Sequence, residues 1–293
     1  MDGFVVHEIA ADVVVRVTRP MPDLSPALDR AVERLWRAAC QRVSSGGAGQ
    51  LFNGRVFSAD RITRSDITGH MTEFRRIVAQ MDDPSLAPAL ELRPLAVCGV
   101  LRCAGSGVLR CAGSGVLRRA GGGVLRGTGS GVLRGTGSGV LRSAGGVVIG
   151  RRPAAAVYQP GMWQLPPAGS VDANALRPDN RIDLAGQILA ELHEELGLSP
   201  IDVSAPVPLC IVEHPGSRVA DLGLAMTTHL DADTIRATHQ ASGNTEYDPL
   251  LVVPDAEIAA FVASAGADLV PPAREFLARI GLLTYGLSPP TGP

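Results

Sequence analysis

The chain has 293 residues, 45% of them hydrophobic, and a formal charge of −2 at pH 7. That length suits one large domain or a domain with an appended segment, and the balanced charge gives no reason to expect nucleic acid or an anionic membrane surface as partner. The five cysteines, at 40, 98, 103, 111 and 210, are an odd number with no metal-ligand spacing, which argues against a disulfide framework and fits a reduced, cytoplasmic compartment.

Residues 4–18 alternate enough to predict a strand centred on Val13-Val14-Val15. After the turn Pro20–Asp23, Leu28, Val32, Leu35 and Ala39 recur at helical spacing and predict a helix over 25–42. Residues 50–58 and 61–70 read as strands separated by Ala59-Asp60, and 72–80 as helix. Pro84, Pro88 and Pro94 then punctuate the approach to a strand beginning at 95. The stretch 1–93 is thus expected to be an N-terminal α/β extension. Its start lacks the basic and apolar regions of a signal peptide, and no apolar run approaches the ~18 residues that span a bilayer. No membrane partner is expected.

Residues 99–142 hold six copies of Gly-Val-Leu-Arg at a period of eight, starting at Gly99, Gly107, Gly115, Gly123, Gly131 and Gly139. The common solenoid repeats run to roughly twenty residues or more, so this period is too short for them. Excising five units joins Leu95–Cys98 and one Gly-Val-Leu-Arg to Ser143–Arg152, giving strand, glycine turn and strand. The repeat is therefore expected at a β-hairpin tip, where lengthening a loop costs little. It interrupts a core domain of 94–285 at about 103–142, ahead of a tail at 286–293. Each unit reads as a very short strand with a glycine-rich turn, so that the units form a meander. Its seven arginines and no acid leave open a basic patch for nucleic acid or for a partner; a tolerated duplication is the simpler reading.

A turn-rich loop, Pro160–Gly169, leads to a helix predicted over 184–196. Asp183 is its N-cap and Gly197 its stop. Leu184, Ile188, Leu192 and Leu196 form the apolar stripe; Gln187, Glu191, Glu194 and Glu195 form a polar stripe beside it. Strands at 206–213, 219–230 and 249–253 and helices near 255–265 and 270–281 complete the chain.

Glu191, Glu194 and Glu195 stand at i, i+3 and i+4 and share one helix face. Carboxylates that close repel unless a cation sits among them. A hard divalent ion with oxygen ligands is the remedy, Mg²⁺ first and Mn²⁺ second, and such an ion points to phosphate chemistry. Arg151 and Arg152 are suited to bidentate phosphate contact. Phe52, Asn53 and Tyr158 are further candidates for a nucleoside, although core packing suits Phe52 better. His193 lies off the carboxylate stripe and reads as a surface residue.

The run Glu191-Leu192-His193-Glu194-Glu195-Leu196-Gly197-Leu198 resembles the second half of the Nudix hydrolase signature. Trp163–Pro166 and Pro167-Ala168-Gly169 are similar to the loop that enters it, in the Pro-Ala-Gly form of the nucleoside-diphosphate-sugar hydrolases. Leu51–Phe57, Asp183–Gln187 and the layout of the last hundred residues more loosely resemble a UDP-sugar-hydrolysing branch with an N-terminal α/β extension. The resemblance implies an α/β/α sandwich with a mixed sheet. It implies Glu191, Glu194 and Glu195 as metal ligands, Glu191 and Glu194 acting in catalysis, and Arg151, Arg152 and Gly169 on the substrate side. It further implies an acid on a later loop as base: Glu246 first, Glu213 second. The expected reaction is metal-dependent hydrolysis of a nucleoside diphosphate linked to another group, with a UDP-sugar as the small-molecule partner. The alternatives are a degenerate module that binds nucleotide without cleaving it, or an interaction protein acting through the repeat. Two departures stand out. The arginine that braces a metal-binding carboxylate in the family is Ala190 here, and the loop from Gly169 is seven residues longer than the pattern, which places Ile182 where the first glutamate falls and leaves Asp183 as its nearest acid.

Overall fold

In the computed structural model the described residues are 3–45, 50–103, 108–112, 116–118, 141–142, 145–156 and 158–284. In chain order the elements are β1 (Val5–Glu8), β2 (Val14–Val17), α1 (Pro26–Ser45), β3 (Arg55–Ile62), β4 (Asp66–Glu73), α2 (Phe74–Asp82), α3 (Ala87–Leu90) and β5 (Leu95–Cys103). Within the repeat come β6 (Val108–Ala112), β7 (Val116–Arg118) and β8 (Leu141–Arg142). Then follow β9 (Gly146–Arg151), β10 (Trp163–Gln164), β11 (Ala168–Ser170), α4 (Leu184–Leu196), β12 (Val207–Glu213), β13 (Ala220–Thr228), α5 (Ala232–Ser242), β14 (Leu250–Pro254), α6 (Ile258–Ala265) and α7 (Pro271–Arg279).

The large sheet runs β1-β12-β13-β5-β9-β10, with β11 also on β5 and β14 also on β9. It is mixed, because β13 and β5 are parallel and the other pairs antiparallel. Period-two alternation sends β5 side chains to two cores. Leu95, Val97 and Leu101 pack with Ile188, Leu192 and Leu196 of α4 and Ile235 of α5. Cys98 and Val100 pack with Ile258 of α6 and Phe276 of α7. Helices thus cover both faces, which is the α/β/α sandwich with a mixed sheet that the sequence predicts. A second sheet, β2-β4-β3, joins the α4 side through Val15, Phe57 and Ile67. Among the described residues no helix is long and apolar enough to cross a membrane.

The N-terminal third departs from the sequence reading in three places. The single strand expected over 4–18 is two strands in different sheets: β1 pairs with β12 and β2 with β4. A turn at Ala10–Val13 separates them, closed by the Val13 amide on the Ala10 carbonyl at 3.1 Å. Ala59-Asp60 does not divide two strands either. It is a register shift inside β3, which frees the Asp60 carboxylate to take Arg19 and His70; a bulge re-aims a side chain without ending its strand. The true turn follows at Thr63–Asp66. Phe52, read as core, is 84% exposed.

The hairpin between β5 and β9 forms as expected, pairing Arg102 with Val147 and Cys103 with Gly146. In the repeat, β6 pairs antiparallel with β7 and with β8. The other repeat residues and the tail 286–293 lie outside the described residues. On the remainder of β5, β11 takes the place of β9: Ala168 faces Cys98 and Gly169 faces Val97. The sheet therefore forks beside β5. Gly99 stands at the fork, where a Cβ would come within 2.6 Å of the Pro167 ring. Gly99→Ala is expected to lower stability by about 1–3 kcal/mol through overpacking, read by chemical denaturation; an unchanged midpoint would contradict this packing.

Candidate active site

Helix α4 carries the acidic face, and its ends are set locally. The Asp183 carboxylate accepts the Gly186 amide at 3.0 Å, and Gly197 closes the helix at φ 69. Ile188, Leu192 and Leu196 are fully buried against the sheet, which leaves the adjoining stripe facing β11.

Two glutamates of that stripe press on the fork strand. Glu195 is 1% exposed; its Oε2 accepts the Ala168 amide at 2.9 Å, and its buried Oε1 takes no N–H donor, the Glu246 carboxyl being the neighbouring group. Glu191 lies directly against Gly169, where a Cβ would fall 2.1 Å from its Oε1. Only glycine leaves room for that carboxylate. Glu194, at the next position, is exposed. Its backbone carbonyl accepts the Asn244 side-chain amide at 3.0 Å, while Asn244 Oδ1 accepts the Glu246 amide at 2.7 Å. The 244–246 loop is thereby pinned to α4, and Glu246 joins the acidic group.

Electrostatics record the crowding. Burial, opposed by a hydrogen bond from Gln187 and reinforced by Glu194, Glu246 and Asp172, raises the Glu191 carboxyl to about 7. Burial, then the neighbouring Glu246, pushes Glu195 well above the usual carboxylate range. Strongly raised acids of this kind mark functional sites more often than ordinary surfaces. Among the described residues no three His, Cys, Asp or Glu side chains converge into a ready-made metal cage. Glu191 is turned to Gln187 and Glu195 to the Ala168 amide. The donor set nevertheless fits a hard divalent ion. It offers carboxylate oxygens alone, one of them buried without an N–H donor, and no sulfur or imidazole.

Beside Ala168-Gly169-Ser170 opens a cavity of about 250 Å³. Phe74, Ile77 and Met81 of α2 give it an apolar wall, and Arg152, Gln164 and Asp221 a polar one. Arg152 donates to the Tyr158 carbonyl at 3.1 Å and to Gln164 Oε1 at 2.5 Å, which holds its guanidinium at the wall. A hydrogen-bonded chain continues the polar wall inward. The Tyr158 hydroxyl meets His214 Nδ1 at 3.0 Å, and His214 Nε2 meets Asp221 at 2.5 Å. Burial pushes the Tyr158 hydroxyl up to about 12.

The structure thus gathers Glu191, Glu194, Glu195, Glu246 and Gly169, and Gly169 shares with Arg152 the lining of the adjoining cavity. Arg151 is not brought in. It shares its side of β9 with Ile149, donates to the Gly161 carbonyl at 3.0 Å and lies over the Trp163 ring at 5.5 Å. Glu213, the second choice of base, is spent on Arg93, Arg218 and His7. Asn53 caps the start of α2 by accepting the Arg75 amide at 2.9 Å, and His193 is a surface residue as read. Asp183 is the N-cap as read and also pairs with Arg177 at 2.6 Å.

The lengthened loop has a use. Leu176 and Ile182 bridge to each other and enclose an excursion whose Ile182 amide reaches the Val15 carbonyl at 2.9 Å and whose Asn180 carbonyl takes the Val17 amide at 2.8 Å. The additional residues fasten the second sheet to the core and leave the contact of Gly169 with Glu191 intact. Two participants were missed as such in the sequence. Asp172, within electrostatic reach of Glu191, is separated from it by that excursion. Tyr247, 2% exposed with an unpartnered hydroxyl, packs on Gly150 beside Glu246; a tyrosine inside a polar loop gives no periodic signal.

No family model matches this chain, and no curated protein does. Among solved structures, DR0079 from Deinococcus radiodurans is similar with a TM-score of 0.39 and 14% identity, over 77% of this chain and 98% of its own. A NUDIX hydrolase from Alicyclobacillus acidocaldarius is similar with a TM-score of 0.35 and 13% identity, over 64% of this chain and 90% of its own. At such scores the functional reading rests on the residues of the site.

Proposed function

We propose that this protein is a Nudix-type hydrolase that uses Mg²⁺ or Mn²⁺ to cleave the diphosphate of a nucleoside diphosphate linked to another group, with UDP-sugars preferred and UMP and sugar 1-phosphate as products. The observation that carries the reading is the docking of the acidic face on Ala168-Gly169, with one glutamate filling the place of a glycine Cβ and the next keeping a buried oxygen that takes no N–H donor. A divalent ion bound there would neutralise the diphosphate and lower the pKa of attacking water. Glu191, Glu194 and Glu195 are the residues that would hold it. Glu246, at the exposed end of the group, accepts the proton of the water whose oxygen bonds to phosphorus as the bridging P–O bond breaks. Arg152 faces the phosphates from the cavity wall, and the cavity receives the group linked to them. The protein's part is chiefly positioning and charge, as in phosphoryl transfer generally.

The test is a panel of UDP-glucose, UDP-galactose, ADP-ribose, dinucleotides and nucleoside triphosphates, with and without Mg²⁺. The expected result is turnover lost on chelation and highest kcat/KM for the UDP-sugars. No metal-dependent product from any member would sink the proposal. Ala190, exposed on the helix, favours a second reading, a module that binds nucleotide without hydrolysing it; ordinary turnover with Ala190 in place would refute that reading. The repeat is proposed to be dispensable for catalysis. Excising residues 107–138, four whole units, should leave kcat/KM unchanged, and a loss of activity from a folded deletion variant would give the repeat a catalytic part.

A further inference from the structure

We infer that Gln187 is the positioning residue for the Glu191 carboxylate and so governs how tightly the acidic face holds a divalent cation. The inference deepens the hydrolase reading and rests on it. Gln187 lies one turn ahead of Glu191 on α4 and is 6% exposed. A buried amide needs both its donor and its acceptor satisfied. The donor goes to Glu191 Oε1 at 2.7 Å, and the carbonyl oxygen accepts the Asp172 amide at 3.3 Å. One side chain therefore ties the segment leaving β11 to the carboxylate on α4.

Gly169 completes the hold from the other side, because the Glu191 carboxylate occupies the space a Cβ would take. Among the described residues Glu191 Oε2 receives no hydrogen bond, so one oxygen is fixed and the other is left to a ligand. Ala190, the next residue back, has no group that reaches the carboxylate. The brace is thus an amide, which orients Glu191 without cancelling its charge. Partners that orient a metal ligand typically account for 10- to 100-fold in metal affinity or activity.

The experiment uses the full chain without substrate and reads Mn²⁺ binding by electron paramagnetic resonance. Gln187→Met keeps the side-chain length and removes both hydrogen bonds; Gln187→Asn keeps the amide but withdraws it from Glu191, and serves if the first variant does not fold. Each is expected to weaken Mn²⁺ binding by about 10- to 100-fold. In turnover assays each is expected to raise the Mg²⁺ concentration at half-maximal rate while leaving the substrate KM nearly unchanged. Ala190→Arg should restore Mn²⁺ binding in the Gln187→Met background and change it little in the wild type, a non-additivity expected only if the two side chains serve one carboxylate. Wild-type binding by both Gln187 variants, or an equal effect of Ala190→Arg in both backgrounds, overturns the inference alone. Absence of Mn²⁺ binding by the wild type overturns the hydrolase reading and this inference with it.

Discussion

Glu195→Gln is expected to lower kcat/KM by about 10²- to 10³-fold and, at the same time, to make the metal-free protein more stable. The first effect follows from losing an anionic ligand at a centre where metal ions contribute several kcal/mol to the transition state. The second follows from burial. Glu195 keeps Oε1 inside the protein, and its carboxyl is pushed far up by burial and by the neighbouring Glu246. Glutamine retains an acceptor for the Ala168 amide and turns an N–H toward Glu246. A neutral amide removes the cost of ionising a buried acid beside Glu246, so the variant's stability should gain on the wild type as pH rises, read by denaturant unfolding. An enzyme that loses both activity and stability on this substitution would mark Glu195 as a structural anchor only.

The metal-free protein should lose stability as pH rises from about 4.5 to 7, through Glu191. Its folded carboxyl lies at about 7, against 4.5 for a free glutamate. Between those values the folded protein holds a proton that the unfolded chain has released, so stability falls across the window and is flat above it. The full term is on the order of 3 kcal/mol. Glu194, Glu246 and Asp172 face the group and add to the shift, while Gln187 opposes it. Other carboxylates, such as Asp60 and Glu73 with their arginine partners, are shifted down and act in the opposite sense at lower pH. The clean observable is therefore the stability difference between Glu191→Gln and wild type, which should grow from pH 4.5 to 7 in a chelator. Mn²⁺ at a hundred times its dissociation constant should return about 2.7 kcal/mol to the wild type and little to the variant. A difference independent of pH would remove Glu191 from the buried acidic group.

The helix that carries the site was legible because several local signals agree over one segment: an aspartate cap, a glycine stop and an apolar stripe beside an acidic one. The hairpin around the repeat was legible because excising whole units restores a strand–turn–strand pattern. What the sequence hid is tertiary. Alternation over 4–18 could not tell that Val5–Glu8 and Val14–Val17 pair in different sheets. The bulge at Asp60 looks like a turn because an aspartate in a strand is a turn signal until Arg19 and His70 are brought to it. Helix α5 gives no clear apolar stripe, because its buried side consists only of Ala232, Ile235 and His239. At the site, the acidic triplet stood out from spacing alone, while the contact of Glu191 with Gly169 joins residues far apart in the chain. Gln187 belonged to the polar stripe, but its task is visible only once Asp172 folds back over the helix.

The most direct test of the account is ³¹P nuclear magnetic resonance of UDP-glucose incubated with the full chain and Mg²⁺, with a chelator control. The diphosphate resonances are expected to give way to UMP and glucose 1-phosphate only when the metal is present, and to persist in Glu195→Gln over the time in which the wild type consumes them. An unchanged diphosphate spectrum under all conditions, in a protein shown to be folded, would contradict it.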